Sequence, residues 1–108
     1  MLITTQDEFA EYTIVETLGA VRGNVVRARN VGRDIMAGFR SIVGGEIIEY
    51  TKLIAESRDQ ATDRMIERAQ ALGADGIVCV RFTTSGIMSG AAELLAYGTA
   101  VKLKKKVD

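Results

Sequence analysis

The stretch from about Glu46 to Leu72 is bounded by glycine on both sides, Gly44-Gly45 before it and Gly73 after it, and the chain has no proline anywhere to interrupt it. At about 100° per residue, counted from Ile47, the side chains of Tyr50, Ile54, Ala61, Met65, Ala69 and Leu72 fall within about 60° of one direction. The spacing predicts one long amphipathic helix. Gly73 is the residue type that best takes the left-handed conformation after a last helical turn. A helix with one apolar face needs a surface to lie on, and the sequence on either side of it supplies a sheet.

Tyr12-Thr13-Ile14-Val15-Glu16-Thr17-Leu18 opens a β-rich stretch that runs through Val21 and Val25-Val26 to about Ala28, with Gly19 and Gly23 as expected bulges or bends. Ahead of it, Leu2-Ile3-Thr4 suits a short edge strand. Thr5 and Glu8 have the spacing of a capping box, which predicts a single helical turn there. Ile77 to Thr84 alternates with period two, which puts Val78, Val80 and Phe82 on one face. The last strand, about Glu93 to Lys104, places Leu94, Ala96, Gly98 and Ala100 together, and these small side chains let the long helix lie close. A shorter helix capped by Asn30 is expected before Gly44-Gly45, with Ile35, Phe39 and Ile42, flanked by Met36 and Val43, on one side. The fold class that follows is α+β: about three long strands plus a short N-terminal one in a small antiparallel sheet, packed on a long helix with a shorter helix preceding it. The link Ser85-Gly86-Ile87-Met88-Ser89-Gly90 has an apolar tip, which either folds back on its own sheet or inserts into a neighbouring subunit.

At 108 residues the chain suits one domain, 1–108, with a single core. Acidic and basic residues balance at 14 each, which removes the overall attraction that nucleic acid or an anionic membrane would exploit. Lys102 and Lys104-Lys105-Lys106 have no aromatic residue among them and read as a solvated tail. No apolar run approaches the roughly 20 residues that span a bilayer. Cys79 stands alone, and the first residues lack the basic and long apolar regions of a signal peptide, so a cytoplasmic location is expected.

Few residues could carry chemistry. Arg58 falls near +20° on the helical wheel, inside the apolar stripe, and a guanidinium there calls for a carboxylate. Glu16, Asp34, Glu46 and Glu93, on the same or an adjacent subunit, are its candidates. A structural ion pair explains Arg58 more simply than a ligand anchor does. Arg33, Ala37 and Arg40 share the face opposite the apolar side of the first helix, which is either solvated or suited to an anion or a partner carboxylate. Glu46 sits in the first turn of the long helix, a favourable place for a negative charge. The phosphate-loop pattern is absent around Gly44-Gly45, and no nucleophile or metal cluster of known spacing appears, so no cofactor is implied.

Gly32-Arg33-Asp34, Arg40, Gly44-Gly45-Glu46, Tyr50, Arg58, Ala61, Arg64-Met65, Leu72-Gly73-Ala74-Asp75, Val80-Arg81-Phe82 and Tyr97-Gly98-Thr99-Ala100-Val101 together closely resemble the YbjQ family of small bacterial and archaeal proteins. The match covers nearly the whole chain in order. What the resemblance implies is a dodecin-like subunit in which a small antiparallel sheet wraps a long helix, assembled as a homopentamer whose strands reach between neighbours. It implies no established activity. A heavy-metal-binding label accompanies the family, yet this chain has no histidine, one cysteine and methionines only at 1, 36, 65 and 88, so a single chain cannot build a soft-metal cage. Cys79 could contribute only across a symmetry axis. The expectation is a cytoplasmic, non-catalytic homo-oligomer that holds a small molecule or protein partner at subunit interfaces, with no nucleic-acid or membrane partner. Its candidate polar residues are Arg33, Asp34, Arg40, Glu46, Tyr50, Arg58, Glu93 and Tyr97. The alternatives are a metal-binding module, or an enzyme that uses Glu46, Tyr50, Glu93 or Tyr97 with Arg33 or Arg40 in an intersubunit cleft.

Overall fold

The computed structural model of the chain describes residues 1–28, 42–43, 46–88 and 91–107. In chain order the elements are β1 (Leu2–Ile3), β2 (Tyr12–Ala28), β3 (Ile42–Val43), β4 (Glu46–Ile47), α1 (Ile48–Ala71), β5 (Gly76–Met88) and β6 (Ala91–Lys105). Four strands form one sheet in the order β1, β5, β6, β2, and α1 packs mainly on β2 and β6. The α+β class expected from the sequence is the class observed.

The sheet is mixed rather than antiparallel throughout. β6 pairs antiparallel with both β2 and β5, but β1 runs parallel to β5, with Leu2 opposite Gly76 and Ile3 opposite Ile77. The helical turn expected at Thr5 to Glu8 does not form. The carbonyls of Thr4 and Gln6 accept hydrogen bonds from the amides of Val80 (3.0 Å) and Cys79 (2.9 Å), so the backbone there is committed to the edge of β5 and cannot close on itself.

The long helix ends as its glycine predicts. The Ala74 amide donates to the Ala69 carbonyl (3.0 Å) and the Gly73 amide to the Gln70 carbonyl (2.9 Å), while Gly73 takes φ +78°. These two bonds are a Schellman motif, and they satisfy carbonyls that a helix end otherwise leaves free. The start differs from expectation. Ile42–Val43 pairs antiparallel with Glu46–Ile47, so the residues on both sides of Gly44-Gly45 are strand where helix was expected, and α1 begins at Ile48. A Gly-Gly dipeptide is a hairpin signal as well as a helix stop, and the pairing of its flanks follows the hairpin reading. The shorter helix expected from Asn30 through Ile35 and Phe39 lies outside the described residues.

Ala61, Met65 and Ala69 are fully buried on α1 and meet Val21 and Val25 of β2, Ala96 and Ala100 of β6, and Ile77 and Val80 of β5. The small residues of β6 seat the helix, as their spacing predicted. Of the two expected bends in β2, Gly19 fits: it takes φ +125° beside a shift in strand register. Gly23 does not. It stays in regular pairing with Ala96, and the helix backbone passes directly over it. A Cβ at that position would fall inside contact distance of the Ala61 carbonyl and the Met65 amide, and 2.8 Å from the Arg64 Cβ. Two guanidiniums, one helical turn apart, fasten this approach: Arg64 donates to the Asn24 carbonyl (2.5 Å) and Arg68 to the Arg22 carbonyl (3.0 Å). Since β2 is an edge strand, these side chains also serve backbone acceptors at the sheet margin.

Strict alternation fails in β5. Pairing runs from Val78 opposite Thr99 to Arg81 opposite Tyr97, so Cys79 and Val80 share the space opposite Gly98. This is a β-bulge, with Cys79 in the left-handed region at φ +56°. The extra residue turns Val80 to the helix face beside Ile77, whereas an unbroken period of two would have grouped Val78 with Val80. Val78 is buried outside that cluster.

Candidate functional site

Of the eight polar residues expected to form a site, five have side chains outside the described residues. Arg33, Asp34 and Arg40 lie outside the described residues. Glu46 and Tyr50 belong to β4 and α1 by backbone, with side chains outside the description. Arg58, Glu93 and Tyr97 can be placed.

Arg58 is exposed in the subunit, which corrects its expected burial in the apolar stripe. The helix residues that meet the sheet are Ser57, Ala61, Met65 and Ala69, a row of every fourth residue. Such a row drifts by about 40° per turn on a wheel drawn at 100° per residue. Averaged over the whole helix, the apolar centre therefore falls near residue 58, but at that level of the helix the sheet meets Ser57, and Arg58 points about 100° aside. Ile54, one turn earlier, is likewise 51% exposed. Of the carboxylates considered for Arg58, Glu93 is engaged elsewhere: its Oε2 accepts a hydrogen bond from Asn24 Nδ2 at 3.2 Å.

Strand register defines three cross-strand rows around this polar pair. Arg22, Tyr97 and Arg81 form one row, Asn24, Leu95 and Thr83 the next, and Val26, Glu93 and Ser85 the third. Directly opposed Cβ atoms in such rows stand about 4.5–5.5 Å apart, so Tyr97 has an arginine on either side. Arg81 donates to the Thr5 carbonyl (2.7 Å) and to the Val80 carbonyl (2.9 Å), which holds the N-terminal segment to the sheet. Glu93 and Tyr97 lie four residues apart on one strand, a backbone separation of roughly 13 Å.

A cavity of about 740 Å³ opens where the C-terminal end of α1 meets the sheet. Arg22, Thr83, Leu95 and Tyr97 line it from three strands, and Arg68 and Leu72 from the helix. Of these, sequence reasoning singled out Tyr97 alone for its polar chemistry. Arg22 and Arg68 come together only through strand register and helix placement, although Arg22 beside the apolar Val21 in an alternating strand was a signal that it faces away from the core.

The donor chemistry does not fit a soft metal. Among the described residues no three His, Cys, Asp or Glu side chains come close enough to hold an ion. Cys79 is half-buried at the bulge, in a conformation that costs a non-glycine residue about 1–2 kcal/mol. Cys79→Gly relieves that strain and Cys79→Ala does not. The glycine variant is therefore expected to unfold at a urea midpoint equal to or above that of the alanine variant; the reverse order would contradict a strain-dominated position.

The described helix is not long and apolar enough to cross a membrane. Compared with known proteins, residues 1–104 match the YbjQ family model, described as "Putative heavy-metal-binding". A UPF0145 protein of Halorubrum lacusprofundi is 60% identical over 104 residues, which are 96% of this chain and 100% of the relative. One from Methanococcus vannielii is 57% identical over 105 residues, covering 97% and 100%. One from Thermosipho africanus is 53% identical over 105 residues, covering 97% of both. Among solved structures, a protein of unknown function from Pediococcus pentosaceus, assigned to the DUF74 family, superposes with a TM-score of 0.70 over 96% of this chain and 98% of that one. At 20% identity, that likeness bears on the fold alone.

Proposed function

This chain belongs to the YbjQ family, and from that premise we propose that it is a cytoplasmic, non-catalytic homo-oligomer, a pentamer, that holds a small molecule or a protein partner at its subunit interfaces. The observation that carries the reading is the shape of the subunit. Its radius of gyration is 17.5 Å, against about 13 Å for a compact domain of this length. The long strands β2, β6 and β5 stay paired out to Ala28, Ala91 and Met88, and β5 is exposed from Arg81 to Met88. Phe82, Ile87 and Met88 are 43%, 52% and 70% exposed along that stretch. The apolar tip does not fold back on its own sheet, which favours the other expectation, insertion into a neighbour. A second copy would cover these side chains and supply strand partners to exposed edges, which soluble proteins otherwise protect.

The two alternatives receive less support. Soft-metal binding meets a chain without histidine and with one thiol, and for an enzyme the placed carboxylate, Glu93, is hydrogen-bonded to Asn24 and not to an acid or base.

Light scattering on the purified protein at micromolar concentration is expected to give five times the 11.7 kDa chain mass. The pair Ile87→Asp and Met88→Asp in one chain is expected to yield a smaller species with unchanged helix content by circular dichroism. A wild-type monomer would contradict the proposal.

A further inference from the structure

We propose that the cavity at the C-terminal end of α1 binds a small organic anion with an apolar body, its carboxylate or phosphate group held by Arg22 and Arg68. A volume of about 740 Å³ lies within the roughly 300–1,000 Å³ range of small-molecule sites. Its lining residues include two arginines, Arg22 on the edge strand β2 and Arg68 on α1, with Tyr97, Thr83, Leu72 and Leu95, and among the described residues none of the lining is acidic. Among the described residues the positive charge thus has no counterpart in the lining, and an anion is the complementary occupant. Arginine presents planar paired donors that match carboxylate and phosphate oxygens. Arg68 is already positioned, because one of its terminal nitrogens donates to the Arg22 carbonyl at 3.0 Å. That bond uses a single N–H of the five that a guanidinium carries, which leaves the group able to bind a ligand while its place is fixed.

This inference rests on the small-molecule part of the proposed function and deepens it. It differs from the metal-binding description in both ligand charge and donor chemistry.

The test is isothermal titration of the full-length protein with 1-naphthyl phosphate, 1-naphthoate and the uncharged 1-naphthalenemethanol. One saturable site per chain is expected for at least one of the anions, with the uncharged analogue at least about tenfold weaker. The preferred anion distinguishes a phosphate ester from a carboxylate. Arg22→Gln is expected to weaken the anion about tenfold or more while preserving the fold, since Arg68 bonds to the backbone carbonyl of residue 22 and not to its side chain. Leu95→Ala is expected to weaken 1-naphthyl phosphate relative to inorganic phosphate. Equal affinity for charged and uncharged probes, no saturable binding, or wild-type affinity in Arg22→Gln would each overturn the proposal. Inorganic phosphate binding as tightly as the naphthyl ester would overturn the apolar part. Light scattering on the same samples separates the two readings: an oligomer without anion binding removes this site alone, and a monomer with anion binding removes the assembly alone.

Discussion

Gly23→Ala is expected to destabilise the protein by about 3 kcal/mol or more, or to prevent folding, although it adds only one methyl group. The new Cβ meets helix backbone, the Ala61 carbonyl and the Met65 amide, and a backbone cannot rotate out of the way as a side chain can. Relief requires moving α1 off β2. That displacement opens the contacts of Val21 and Val25 with the helix and stretches the Arg64 and Arg68 bonds to the Asn24 and Arg22 carbonyls. Against a total stability of about 5–15 kcal/mol, such a loss is large. Gly86→Ala is the control, because a Cβ there has nothing within 4 Å. Its expected effect is within about 1 kcal/mol, and of either sign. Urea unfolding at a fixed protein concentration reads both; a Gly23→Ala midpoint close to wild type would show that α1 does not pass over β2 as described.

Met65→Ala is expected to cost about 2–5 kcal/mol. Met65 is fully buried at the middle of the helix contact, between Ala61 and Ala69, and it is among the largest fully enclosed side chains. Its alanine neighbours have no bulk with which to fill the space it leaves, so the cavity persists. Met65→Leu, close in volume, should cost less than about 1.5 kcal/mol. Ile54→Ala should cost less than Met65→Ala in an isolated subunit, since Ile54 is half exposed there. A larger loss at Ile54 than at Met65, with dissociation of the oligomer, would move the dominant packing surface from the subunit core to the interface.

Much of the fold was legible because each reading rested on one local rule. Gly73 ended the helix through its backbone freedom, and Ala96 and Ala100 marked the helix seat through their size. The failures came where two rules competed. At Gly44-Gly45 the same dipeptide signals a helix stop and a hairpin, and the flanking residues pair as strands. At Cys79 a bulge opposite Gly98 interrupts the period, which no alternation count reveals. Gly23 was expected to bend the chain because a strand glycine often does so; its actual role depends on a helix far along in sequence. Arg58 shows the limit of a helical wheel, since a sheet meets a row of residues along the helix and not an averaged face. Of the site, Tyr97 and Glu93 were legible as polar residues on one strand. Arg22 and Arg68 were not, because a cavity wall assembled from β2 and α1 exists only after register and packing are set.

The central proposal is that copies of this subunit cover one another's exposed β5 segments. Native mass spectrometry of protein taken directly from cells addresses that claim with the subunits, and anything they hold, still together. The predicted result is a species five times the 11.7 kDa chain mass, with an added mass where an organic anion is bound. A spectrum containing only the single chain would contradict the account.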